Sequence, residues 1–182
     1  MPSTIQVDTI KDGSASNTLV EQSGSDWVWG SGLPSGSTIQ TIADTYDIPN
    51  TDITTTANDV YGSNLEVAIT ASSTSNKLLI MCFIPNCFNY GVSGAYFNSG
   101  FRYDADFSSG NGTRLGADEF VGAGQLTLNS ATNLLMNHSY FTTTTAPVTT
   151  AIKIRPWFQS TGGSIRTGGV GIACLTVSEI KA

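Results

Sequence analysis

The chain has 182 residues, with 14 acidic against 8 basic side chains, one histidine, a formal net charge of −6 and only 12% charged residues. That length encloses one core with a short arm, and the negative charge speaks against sequence-independent nucleic-acid binding, which needs a basic surface to displace phosphate counterions. With 24 Thr, 21 Ser, 19 Gly and 12 Asn, 76 of the 182 residues are of four small or turn-forming types, and a chain so poor in Glu, Lys, Arg and Leu lacks the material of helical bundles and doubly wound folds.

The opening MPSTIQVDTIKDG has neither the basic region nor the apolar stretch of a secretory signal. Ser3 to Ile10 alternates, with Ile5 and Val7 on one side and Thr4, Gln6 and Asp8 on the other, which predicts a short strand. Asp12-Gly13-Ser14 is turn chemistry, and extended structure resumes over Asn17 to Glu21. Gln22 to Gly36 is a serine- and glycine-rich segment that nevertheless holds Trp27-Val28-Trp29. Two indoles in a stretch unable to build its own core need cover, from the following domain or from another chain. Residues 1 to 60 carry eight acids against Lys11 alone, a net −7, and the remainder is about +1. A solvated acidic face accounts for that asymmetry, and so does an arm that docks on a basic partner.

From residue 36 onward, strands recur between turns. Ser37 to Ile42 and Asn64 to Thr70 alternate, the latter with Leu65, Val67 and Ile69 on one face. Leu78 to Ile84 is the longest apolar run, too short to cross a bilayer and suited to a central strand buried on both faces. Ala95 to Phe107 reads as strand broken at Asn98-Ser99-Gly100. Further strands are expected at Phe120–Val121, Gln125–Leu128, Leu134–Thr142, Thr149–Phe158 and Gly171–Ile180, punctuated by Asn111-Gly112, Thr161-Gly162-Gly163 and Thr167-Gly168-Gly169. This spacing predicts an all-β protein, an antiparallel β-sandwich of jelly-roll type over residues 34–182, with an extended N-terminal arm over residues 1–33 for attachment and oligomerisation. The arm residues Ile5, Val7, Ile10, Trp27 and Trp29 cannot bury themselves, so self-association, as a homotrimer, is expected through them.

Catalytic constellations are scarce. Cys82, Cys87 and Cys174 form no CxxC pair, which argues for buried or half-buried thiols and against a thiolate metal site or disulfide framework. His138 is the sole imidazole, so a histidine metal cluster is excluded, and its strand context points to a structural or surface role. GxSxG, GxxxxGKS and GxGxxG do not occur. Asp104 and Asp106 would share one strand face, near Asp118 and Glu119. A solvated loop explains them, and a Ca²⁺ site or a glycosidase acid pair are the sharper readings. Tyr90, Tyr96 and Tyr103, with Phe97 and Phe107, crowd an Asn- and Gly-rich stretch that could contact a glycan, although core packing explains them equally well. No catalytic residue, cofactor or metal is assigned.

Three segments carry a resemblance. Ser3-Thr4-Ile5-Gln6-Val7-Asp8-Thr9-Ile10-Lys11-Asp12 resembles the N-terminal STxxVDTIxD signature of fibre and appendage proteins of tailed bacteriophages, especially those of marine cyanobacteria. Leu33-Pro34-Ser35-Gly36-Ser37-Thr38-Ile39-Gln40 resembles the entry to their terminal β-domain, and Leu175-Thr176-Val177-Ser178-Glu179-Ile180 resembles their closing strand. The match covers about 25 residues at the two ends, and no shaft repeats separate the motifs. The resemblance implies a non-enzymatic virion protein, assembled in the host bacterial cytoplasm: a short trimeric tail fibre or spike with its arm on another virion protein and its β-domain outward, toward host-surface glycan. A capsid decoration or head-fibre protein is the alternative, and a glycan-cleaving depolymerase the second.

Overall fold

Threonine and β-branched or aromatic residues alternating with polar ones favour a pleated, half-buried surface. The computed structural model describes residues 9–11, 18–23, 26–29, 33–47, 51–54, 58–60, 65–90, 95–108, 110, 112–115, 124–128, 135–160, 164–167 and 171–182. Along them run β1 (Thr9–Lys11), β2 (Thr18–Ser23), β3 (Asp26–Trp29), β4 (Thr38–Asp47), β5 (Thr51–Thr54), β6 (Asn58–Val60), β7 (Val67–Ile69) and β8 (Lys77–Tyr90). Then follow β9 (Ala95–Asp104), β10 (Thr113–Leu115), β11 (Gly124–Leu128), β12 (Leu135–Thr145), β13 (Ile152–Ser160), β14 (Ser164–Thr167) and β15 (Ile172–Ile180). No helix occurs among the described residues. The architecture is the expected antiparallel β-sandwich.

Its topology follows from nested pairing. β4 pairs with β15, β7 with β13, β8 with β12 and β9 with β10, each antiparallel, so these eight strands trace one long hairpin. Lateral pairing of β15 with β8 and of β13 with β9 rolls the hairpin into two sheets, β4-β15-β8-β12 and β7-β13-β9-β10. That is a jelly roll. β14 and β5 extend the first sheet, and β6 and β11 extend the second. Leu78, Ile80, Ile84, Leu175 and Val177 of the first sheet face Phe101, Ile154, Phe158 and Ile69 of the second, all at most 2% exposed. Upstream, β1-β2-β3 form a separate three-stranded antiparallel sheet, so Trp27-Val28-Trp29 is a strand paired to β2 and not a linker.

Three expectations are corrected. The Leu78–Ile84 run is not buried on both faces: Leu78, Ile80, Cys82 and Ile84 point inward, while Met81 and Phe83 are 44% and 39% exposed. Its sheet is one layer of two, so only alternate residues are covered by the other layer. Asn98-Ser99-Gly100 does not break its strand. β9 is paired on both edges there, Ser99 lying opposite Phe158 and Gly124, which satisfies the backbone that a turn would otherwise exploit. Asp104 and Asp106 do not share a strand face, because β9 ends at Asp104 and its carboxylate accepts the Asp106 and Phe107 amides at 3.2 and 3.4 Å. The short strands β5, β6, β10 and β14 have no counterpart among the expected elements, and β4 runs on past Ile42 to Asp47. The expected strands at Phe120–Val121 and at residues 3 to 8 lie outside the described residues.

The entry and exit of the sandwich are tied together. The Ser37 amide donates to the Pro34 carbonyl at 3.1 Å, with Gly36 at φ +86°, so the LPSG segment is a type II turn that needs glycine at its third position. The Gly36 amide donates to the Lys181 carbonyl and the Lys181 amide to the Ser37 carbonyl, each at 2.8 Å. The Lys181 ammonium donates to the Leu33 carbonyl.

Candidate functional site

The two outer faces of the sandwich differ in character. On the first sheet, directly paired residues form three rows: Ala43–Thr176–Met81–Phe141, Thr45–Cys174–Phe83–Ser139 and Thr41–Ser178–Leu79–Thr143. None of these positions carries a charge. Met81, Phe83 and Phe141 are exposed, Phe141 by 66%, and with Ser139, Cys174 and Thr176 they line a shallow groove of about 450 Å³. Ile172, 64% exposed, adds to this sheet at the Asp47 pair. Contiguous apolar surface of this kind marks an interaction site more often than single exposed residues do.

The outer face of the second sheet is cationic. Arg114 lies opposite Arg102, and Arg102 opposite Arg155, so three arginines stand in one row across three strands. Lys153, two residues before Arg155, lies on the same side, opposite Asp104. Glu66, just before β7, accepts Arg155 at 2.6 and 2.7 Å and Lys153 at 2.8 Å. The Arg102 guanidinium donates to the Gly112 carbonyl at 2.9 Å. Beneath the arginines lies Trp157, 2% exposed. Its ring centroid is 4.5 Å from the Arg114 guanidinium carbon and 5.5 Å from that of Arg102. Because β10 is two strands from β13, the indole must extend across β9, where Trp157 is opposite Gly100 and no side chain obstructs it. Arg155 stacks on Phe107 at 4.2 Å.

Between the sheets sits a third polar feature. Ser99 of β9 and His138 of β12 meet through Oγ and Nε2 at 2.7 Å, and His138 stacks on Tyr140 at 5.0 Å. Ser99 is 0% and His138 7% exposed. Burial lowers the imidazole to about 4, so it is neutral at pH 7. The pair has a nucleophile-and-base composition, but it is enclosed where a substrate has no approach, and it serves as a hydrogen-bonded tie between the layers.

Of the residues singled out from sequence, Ile5 and Val7, together with Asp118 and Glu119, lie outside the described residues. Ile10 is placed on β1 and Trp27 and Trp29 on β3, and Tyr90 and Tyr96 on β8 and β9, with their side chains outside what is described. Tyr103 is half-buried and packs on the core. Asp106 accepts the Ser108 amide at 2.8 Å, and the hydrogen bonds from Ser108 hold its carboxyl below the usual range. Asp104 and Asp106 thus cap a turn, and among the described residues no group of three or more metal-ligating side chains assembles. Cys82 and Cys87 are buried and Cys174 half-buried, all free thiols, and burial pushes the Cys82 thiol up to about 12. Sequence reasoning missed the arginine row, whose members are 12 and 53 residues from Arg102 along the chain. A period-two reading of each strand would have placed each arginine on a face without aligning the three.

No protein-family model and no curated protein matches the chain. Among solved structures it is similar to a chain in the structure of infectious bursal disease virus Gx strain, at 8% identity, covering 90% of this chain and 46% of that one, with a TM-score of 0.27. This chain therefore spans less than half the length of that one, and the likeness carries no argument about what it does.

Proposed function

We propose that the chain is a non-enzymatic structural protein of a virion, a short trimeric tail fibre or spike whose N-terminal segment attaches to the particle and whose jelly-roll head projects outward. The observation that carries the reading is the uncharged apolar face around Met81, Phe83 and Phe141. On a chain of net charge −6, such a face is where like copies approach without repulsion, and burying it removes apolar area from water. The resemblance of STIQVDTIKD to phage appendage proteins supports the virion setting, and β1-β2-β3 gives the attachment segment a strand unit with edges to offer a partner. The turn role of Asp104 and Asp106 supports a binding function over a depolymerase.

Native mass spectrometry at micromolar concentration is expected to give a trimer. The double substitution Met81→Lys with Phe141→Lys puts two charges into the face, and each lost side-chain burial is worth about 1.5–3 kcal/mol, so dissociation should strengthen more than tenfold with the circular dichroism unchanged. A monomeric wild-type chain would overturn the assembly, and a variant trimer would move the interface to the arm. Antibody labelling of particles is expected to mark the tail; labelling spread over the capsid would select the decoration or head-fibre alternative.

A further inference from the structure

β12 belongs to two surfaces at once. Ser139 and Phe141 stand outward in the uncharged groove, whereas His138 and Tyr140, alternating with them, turn inward and are buried. The strand is also an edge: among the described residues it pairs with β8 alone, and its ladder is interrupted beside His138. His138 lies opposite Ile84 and Met136 opposite Cys87, so Pro85 and Asn86 of β8 face Asn137 alone. That is a β-bulge, a feature that collects at sheet edges and functional sites. Pro85 has no amide to give to the ladder. Asn86 takes a left-handed φ of +53°, and its amide donates to the Asn137 side-chain oxygen at 3.2 Å.

The inner side of this discontinuity is the layer tie. His138 meets Ser99 at 2.7 Å and stacks on Tyr140, whose ring lies 5.0 Å from Phe101 and 5.9 Å, edge-on, from Phe158. The titratable side chains turned inward around it are Tyr140, the thiols Cys82 and Cys87 of β8, and Tyr103 of β9. Arg102, Lys153 and Arg155 stand on the outer face of the second sheet, and β11 carries no titratable residue. Asp104, the one acid on β8, β9, β11, β12 and β13, ends β9 and accepts the Asp106 and Phe107 amides. We propose that β12 is a proton-controlled edge strand: protonation of His138 frees it from β8, beginning at the Asn86–Asn137 bulge, and takes apart the assembly face to which Phe141 belongs. A charged ring is costly between apolar layers, and an edge strand brings it to water with the loss of a single ladder. Ser139 and Phe141 move with it because they share its backbone. Burial makes the enclosed ring resist the proton that a freed ring accepts near 6.5, so assembly is full above that value and weakens as pH falls. The inference deepens the assembly reading and rests on it for what the released strand disconnects.

Sedimentation of the full chain at micromolar concentration is expected to give a trimer at pH 7 that dissociates on the way to pH 5, with the far-ultraviolet circular dichroism retained. Association should weaken by up to about tenfold per subunit for each pH unit below 6.5. His138 is the sole histidine, so His138→Gln, neutral throughout, should assemble alike at pH 7 and pH 5. Hydrogen exchange on the wild type, corrected for its intrinsic pH dependence, needs no variant. It should show protection lost at pH 5 over residues 135–145 while β15, on the other side of β8, keeps its own. A trimer equally tight at pH 5 overturns the proposal, as does a His138→Gln chain that dissociates like wild type or an exchange loss shared equally by β12 and β15. A chain already monomeric at pH 7 overturns the assembly reading instead, and the exchange contrast then supports or overturns the strand release by itself.

Discussion

Acidification from pH 7 to 4 is expected to cost the fold about 3 kcal/mol at His138 alone. In the unfolded chain the imidazole titrates near 6.5, whereas in the sandwich burial holds it to about 4. Between those values the unfolded state binds a proton that the native state refuses, so stability is full above about 6.5 and falls as pH drops toward 4. For a domain of this size the loss corresponds to roughly 6–12 °C in melting temperature. His138 is the only histidine, so its imidazole resonances need no assignment and an NMR titration reads the value directly. A midpoint near 6.5 would mean that the ring is not enclosed as described. The Ser99 hydroxyl can donate to or accept from the neutral ring, but protonation makes both ring nitrogens donors and places a charge between the sheets. The slope between pH 6.5 and 4 should flatten in His138→Gln.

Replacing Glu179 with alanine is expected to lower stability by about 3–5 kcal/mol, the scale for removing one partner from a buried charged network. Glu179, near the end of β15, is 0% exposed. Its carboxylate accepts the Gln40 side-chain amide at 2.6 Å, the Asn76 side-chain amide at 2.7 Å, and the Ser72 amide and hydroxyl at 2.8 Å each. Burial by itself would raise this carboxyl, but the bonds from Gln40, Asn76 and Ser72 outweigh it and hold the group below the ordinary glutamate range. Asn76 in turn donates its amide to the Ser73 carbonyl at 3.2 Å and accepts the Ala146 amide at 2.9 Å and, through its side chain, the Ala182 amide at 3.2 Å. Loss of the carboxylate therefore loosens the loop before β8, the start of β4 and the chain end together. Since the folded value is depressed, this stabilisation is present above the unfolded glutamate value and disappears as pH falls through the folded one. Denaturant melts should thus show the wild type losing its advantage over Glu179→Ala below about pH 4. Equal stability of the two at pH 7 would refute the network. His138 acts above that window and Glu179 mainly below it, so the two effects separate on one pH series.

The β class and much of the strand order were legible from residues alone, because alternation and turn chemistry are local. Leu65, Val67 and Ile69 alternate inward as read, and Gly112, one of the glycines read as a turn signal, takes a positive φ of +68°. Gly112 is confined as well, since a Cβ there would come within 2.7 Å of the Phe107 ring and the Tyr103 carbonyl, which sequence could not have told. The nested pairing of β4 with β15 and β7 with β13 accounts for the rest. Period two states that a strand has two faces but not which of them another layer covers, and so Met81 and Phe83 read as core although they stand outside. The buried Glu179, the Ser99–His138 tie and the arginine row depend likewise on register between segments far apart in the chain. Composition and local pattern determined that this protein is a β-sandwich. Only the tertiary packing decided which apolar face is left open and which charges meet, because both are properties of neighbours that the chain does not place side by side.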